Sequence, residues 1–315
     1  MTTKPSTGFL SQPHALGINL AFAYVYVAWG GTYLAAHLAL AGFPPFLLSG
    51  SRFLLAGILL MGLLKIIHPR EFAWGAWSEW RDGAIVGTLL LVTGIGAVNW
   101  AQQYVPSSIA ALIFGALPIW IILIDWLRPR GTAPSARACW GLVLGFLGVC
   151  LLMAPGAAAA AGGSVLGKFV LVAAGLSWAI GAIYSRHTIV RGSPFLPMSR
   201  QMICAGTLLF LCSVAQGDLH RFHPGAVTAV AWTAFAYLVL CGSVTGFTAY
   251  IWLMRVSTTA RATTIPYVNL AIAVLLGCTF NHEPFGWNMV FGGATIVGAV
   301  VLVTRKPRAA LPPTD

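Results

Sequence analysis

From Trp29 to Leu60 the chain reads WGGTYLAAHLALAGFPPFLLSGSRFLLAGILL, and from Trp178 to Leu209 it reads WAIGAIYSRHTIVRGSPFLPMSRQMICAGTLL. The two stretches align without a gap at an offset of 149. Trp29 meets Trp178, Pro45-Phe46-Leu47 meets Pro194-Phe195-Leu196, Ala56-Gly57 meets Ala205-Gly206, and Leu59-Leu60 meets Leu208-Leu209: eight identities over 32 positions. Leucine and alanine matches carry little weight in apolar sequence. A tryptophan and a Pro-Phe-Leu run at one shared offset carry more. Further on the offset drifts to 152, pairing Trp100 with Trp252 and Ala110 with Ala262. The chain reads as a duplication.

Composition says what solvates it. Of 315 residues, 58% are hydrophobic and only 8% charged, whereas a water-soluble domain carries about a quarter charged residues. Such a chain is solvated by lipid. Its 35 glycines and 12 tryptophans agree, since membrane helices tolerate Gly and Trp collects at membrane interfaces. A net charge of +11 raises nucleic acid as a partner, but the basic residues are scattered in ones and twos between apolar runs. No nucleic-acid partner is expected. The cysteines (Cys139, Cys150, Cys204, Cys212, Cys241, Cys278) lie inside apolar runs without a Cys-x-x-Cys, so neither a disulfide framework nor a zinc site follows. No metal and no other cofactor is expected.

A membrane helix needs about 20 largely apolar residues. Ten such runs can be read: Leu16–Leu38, Pro44–Ile67, Gly83–Gln103, Ser107–Leu127, Ala138–Met153, Gly167–Tyr184, Pro197–Ala215, Val227–Leu253, Ala262–Thr279 and Phe285–Thr304. The break at Tyr104-Val105-Pro106 is the least secure, because proline can also kink one continuous helix. With ten spans, 15 of the 18 basic residues fall on one side, leaving Arg52, Lys168 and Arg221 on the other. The positive-inside rule then places both termini in the cytoplasm of a bacterial inner-membrane protein. The expected layout is a cytoplasmic tail over 1–15, a first repeat over 16–153, an external connector over 154–166, a second repeat over 167–304 and a cytoplasmic tail over 305–315. Residues 16–38 are too long an apolar run for a signal-peptide core and read as a retained first span. Five spans per half is an odd number, so the second copy enters the bilayer from the opposite face. Inverted repeats of this kind are a signature of alternating-access transporters.

Three runs sharpen this. Ala28-Trp29-Gly30-Gly31-Thr32-Tyr33-Leu34, Gly42-Phe43-Pro44-Pro45-Phe46 and Arg52-Phe53-Leu54-Leu55-Ala56-Gly57 resemble the opening of EamA-type members of the drug/metabolite transporter superfamily. Val105-Pro106-Ser107-Ser108, Leu117-Pro118, Asp125-Trp126-Leu127-Arg128 and Glu283-Pro284 are similar to further signposts of that family. Gly131 and Leu270 depart from it, standing where Glu and Pro are frequent. The resemblance spans nearly the whole chain. It implies an all-α polytopic membrane fold of ten transmembrane helices in two inverted five-helix EamA repeats, a central cavity, and export of small metabolites.

Polar and aromatic residues inside the apolar runs are the candidate site. Asn19, Phe22, Tyr26, Trp29, Tyr33 and His37 recur every three or four residues and form one helical stripe. Trp29 and Tyr33 are central in the span and read as cavity wall; His37 reads as interfacial. Asn99, Gln102 and Gln103 lie one turn apart and put three carboxamides on one helix face, which suits polar, roughly neutral solutes such as amino acids, or equally helix–helix bonding or exposure at the outer surface. Trp178, the repeat partner of Trp29, joins the binding set with Tyr267 and Asn269 midway along the ninth span. Arg52 lies seven residues into the second span. It either anchors a substrate carboxylate, ties Glu283, or snorkels to the outer headgroups. Asp125 one turn before Arg128 reads as an interfacial ion pair.

The functional expectation is a transporter, an exporter of a small organic metabolite such as an amino acid, with lipid bilayer and small-molecule substrate as partners. There is no Gly-x-x-x-x-Gly-Lys-Ser/Thr phosphate loop, so coupling would come from protons or a counter-solute. Asp125, Glu283 and the histidines are the candidate couplers. No catalytic residue is assigned. An intramembrane enzyme acting on a lipid-linked substrate is the rival reading, and a cavity-free assembly protein a third.

Overall fold

A computed structural model of the chain describes residues 15–128, 133–153, 164–188, 192–257, 265–281 and 286–304. Every regular element among them is helical, as lipid demands of a chain with no other way to satisfy its backbone. The main helices are α1 (Ala15–Leu40), α2 (Pro45–Ile67), α3 (Trp77–Ala101), α4 (Ser107–Leu127), α5 (Ala136–Met153), α6 (Val165–Ser185), α7 (Leu196–Ala215), α8 (Ala229–Val256), α9 (Ile265–Phe280) and α10 (Trp287–Thr304). Seven of them, α1 to α4 and α6 to α8, are long and apolar enough to cross a bilayer. Within α5, α9 and α10 the apolar stretches are shorter, Ala136–Leu151, Val268–Phe280 and Met289–Leu302. Gly131, Arg261, Glu283, residues 1–14, most of the connector and residues 305–315 lie outside the described residues.

Local chemistry sets the ends. Thr228 caps α8 by accepting from Ala231 N at 3.2 Å, and α2 starts with Pro45 in its first turn, where a missing N–H costs nothing. The break before Pro106 is real. α3 closes with Gln102 N donating to Val98 O and Tyr104 N to Ala101 O, both at 2.9 Å, and α4 begins after Pro106 at Ser107. The third helix starts earlier than its apolar run, at Trp77 rather than Gly83, because Glu79 Oε2 accepts from Ala76 N (2.8 Å) and holds a polar first turn.

The duplicated helices α2 and α7 pack on each other. A Cβ on Gly50 would meet Phe210 N at 2.5 Å, one on Gly57 would meet Ile203 N at 2.8 Å, and one on Gly206 would meet Leu54 N at 2.2 Å. As numbers rise along α2 they fall along α7, so the helices are antiparallel. The repeated Ala-Gly pair marks the place where their backbones touch. α5 and α10 are paired in the same sense, with Gly145 beside Ala299 and Gly148 beside Ile296. The first helix of each half packs into the other half: α1 against α8 and α9, α6 against α3 and α4. Exchanging the halves maps one set of contacts onto the other.

Two features interrupt the regular ladder. α3 carries a π-helical segment over Thr88–Gly96, and α8 carries one over Leu238–Thr245. Hydroxyls cross these wide turns five residues back: Thr93 to Thr88 O (3.0 Å), Ser243 to Leu238 O (3.0 Å) and Thr245 to Leu240 O (2.7 Å). Such segments are rare and concentrate at functional sites. α4 breaks at Gly115-Ala116, ahead of Pro118, whose ring cannot continue the hydrogen-bond ladder.

Candidate functional site

Between the halves lies a cavity of about 560 Å³, within the range that holds one small organic ligand. Trp29, Tyr33, Arg52, Asn99, Gln102, Trp178 and Asn269 all line it. Tyr267 belongs to α9, but its side chain lies outside the described residues. These residues come from five helices and from both halves, and only folding brings them together.

Aromatic rings make the walls. The Trp29 ring lies 5.0 Å from Phe247 and 4.9 Å from Tyr250, centroid to centroid, and Trp178 meets Phe114 edge-on at 6.5 Å. Glycines make room for them. A Cβ on Gly246 would stand 2.7 Å from Trp29 Nε1, and one on Gly94 would stand 3.1 Å from the Trp178 ring. Each first-helix tryptophan thus packs against a glycine in the third helix of the opposite half. Gly242 serves Arg52 in the same way, with a virtual Cβ 3.1 Å from its Nη2. The Gly242-x-x-x-Gly246 spacing therefore seats cavity side chains rather than a flat helix face.

One end is polar and closed. Asn99 and Gln102 are each 2% exposed and Arg52 3%. Asn99 Nδ2 donates to Ser49 Oγ (2.9 Å), Gln102 Nε2 donates to Tyr33 O (3.1 Å), and Arg52 Nε donates to Ser243 Oγ (2.9 Å). Gln102 Oε1 is buried without a hydrogen-bond partner among the described residues. At the other end the lining reaches exposed Arg186 and Met254, the latter 39% exposed. Between them, Asn269 with its amide nitrogen turned toward α1 donates to Tyr26 O at 3.1 Å. The unwound turn of α4 contributes Gly115 and Pro118 to the wall.

The first-helix stripe divides. Trp29 and Tyr33 face the cavity, while Phe22 and Tyr26 pack with Val25, Leu253 and Ile265 into a core cluster. Of the three carboxamides, Gln103 is exposed and donates only to Trp100 O in its own turn (3.0 Å), because one residue rotates a helix position by a quarter turn or more. Asp125 and Arg128 form an ion pair at 2.9 Å. Sequence reading overlooked Ser49, Ser243, Phe114, Phe247, Tyr250 and Arg186. Ser243 was detectable as the one hydroxyl in the run Leu238–Val244; the others carry no local signal that separates cavity from core.

The sequence matches the EamA-like transporter family twice, over residues 16–154 and 165–305. It is 32% identical over 282 residues to the "Uncharacterized inner membrane transporter YedA" of Escherichia coli strain K12, covering 89% of this chain and 88% of that protein. It is 25% identical to the "Uncharacterized transporter YvbV" of Bacillus subtilis strain 168, covering 92% of each. A solved crystal structure shares the fold with a TM-score of 0.62 at 20% identity, over 92% of this chain and 96% of that one.

Proposed function

The chain belongs to the EamA-like transporter family, and on that premise we propose that it carries a small organic metabolite across a bacterial inner membrane by alternating access. In this reading ten helices form two inverted five-helix repeats, both termini face the cytoplasm, and the cargo leaves the cell. The observation that carries it is the cavity between the halves, closed over Asn99 and Gln102 and open beside Arg186. The Arg186 end belongs to the side that holds most of the basic residues, so the conformation described is the cytoplasm-facing one. Antiparallel packing of α2 on α7 and of α5 on α10 supports an inverted repeat, in which rocking the halves would move the opening to the opposite face. Aromatic walls with carboxamides at one end fit an amino acid or a comparable polar metabolite. Membrane-spanning helices and names of relatives support the inner-membrane location.

The enzyme reading is not favoured, since the matched family and the relatives are named as transporters. The test is a metabolite-export comparison between cells with and without the protein, followed by flux in vesicles. Trp29→Ala and Asn99→Ala are expected to weaken that flux about tenfold or more. Unchanged kinetics in both would remove the cavity from the mechanism.

A further inference from the structure

Two buried arginines sit in the paired helices α2 and α7, and their surroundings differ. Arg200, 1% exposed, donates from Nη2 to Ala73 O at 2.9 Å and stands 3.7 Å from Glu79 Oε2. It ties the segment before α3 to α7, as a structural arginine does. Arg52 has no carboxylate within ion-pair distance among the described residues. It makes one hydrogen bond, from Nε to Ser243 Oγ, and its guanidinium lies over the Phe53 ring at 4.9 Å. The two Nη groups, five donors' worth of fork geometry less one, have no protein acceptor among the described residues. Arg52 is also at the cavity wall, and Arg200 is not.

An uncompensated charge inside a membrane protein is costly and is kept where something compensates it. Both charged residues among those described along the cavity are arginines, Arg52 at the closed end and Arg186 at the open end, with no acidic side chain between them. A cleft lined by one sign of charge in a low-dielectric wall concentrates ions of the opposite sign. The remaining wall is mostly aromatic and aliphatic. Resting on the transport reading above and narrowing its substrate class, we infer that the cargo is an organic anion whose carboxylate docks on the free edge of Arg52 while an apolar body lies between Trp29 and Trp178. The planar guanidinium offers paired donors matched to a carboxylate. Gln102 lines the same end of the cavity, its Nε2 bound to Tyr33 O and its Oε1 buried without a partner among the described residues. Ser243 links Arg52 to the π-segment of α8 through its bond to Leu238 O, so anion binding bears directly on that segment.

The test is calorimetric titration of the full-length protein in detergent or nanodiscs with four compounds sharing one apolar body: phenylacetate, L-phenylalanine, phenylacetamide and phenethylamine. The two carboxylates should bind about thirtyfold or more tightly than the amide, with the amine weakest. Arg52→Gln should erase the gap between acid and amide, and Arg52→Lys should keep part of it. The wild-type series alone decides the matter if the variants do not fold. An amide that binds as tightly as the acid, or a gap that survives Arg52→Gln, overturns the inference and leaves the cavity reading in place. If none of the four binds while vesicles still move solute, the anion assignment fails alone. If vesicles move no solute, transport fails with it.

Discussion

At the residue scale, glycine does as much for the cavity as the side chains that line it. Gly246 and Gly94 leave space for Trp29 and Trp178, and Gly242 leaves space for Arg52. Gly246→Val would push its side chain into the Trp29 indole, which already packs against Tyr250 and Phe247. Overpacking of this kind costs about 1–3 kcal/mol, or about tenfold in an affinity. Vesicle flux should fall by that factor at unchanged amounts of protein in the membrane; normal flux would mean that the Trp29 position is unimportant. The sequence exposed Trp29, Tyr33, Asn99 and Trp178 because polar or ring-bearing residues in apolar runs stand out. It did not expose Phe247 or Tyr250. Their rings lie in an apolar run like any core ring, and only the neighbouring helices make that face a cavity.

At the scale of elements, the informative contact is the antiparallel crossing of α2 and α7. Gly206 lies so close to Leu54 that a Cβ would stand 2.2 Å from the backbone nitrogen, and backbone cannot rotate aside as a side chain can. Gly206→Leu should therefore lower resistance to unfolding in detergent by at least the 1–3 kcal/mol typical of overpacking, about the largest single effect expected in the helix interior. Gly62→Leu, on the same pair of helices with nothing within 4 Å of its virtual Cβ, should leave the unfolding curve in place. The repeated Ala-Gly was visible in sequence as an identity, and its meaning as a crossing point was not. The π-segments were invisible. They replace a spacing of 3.6 residues by a wider one, and uniformly apolar sequence such as Leu89–Val92 has no periodicity from which to read the change. They are held by hydroxyls within the segment and by neighbours: the Thr93 and Ser177 hydroxyls lie 2.5 Å apart, and Thr245 hydrogen-bonds Tyr24 across to α1.

For the whole molecule, the proposed mechanism makes accessibility depend on the side approached. In a background lacking the native cysteines, Met254→Cys should react with a membrane-impermeant thiol reagent from the cytoplasmic face and be protected from the outer face. Ala36→Cys, buried at the closed end, should react from outside only when the opposite conformation is populated. Equal labelling from both sides would contradict a cavity that alternates. The sequence by itself determined that the chain lives in lipid, that it is duplicated and where most helices begin and end. These properties follow from composition, offset and run length, which are local or additive and need no knowledge of neighbours. Tertiary structure alone decided which residues share the cavity, that one end is closed over Asn99 and Gln102, and that Arg52 reaches the cavity wall while Arg200 does not. Those facts depend on helices separated by more than a hundred residues meeting at particular faces, and in a chain whose lipid-facing and core-facing residues are alike apolar, hydrophobicity does not say which face is which.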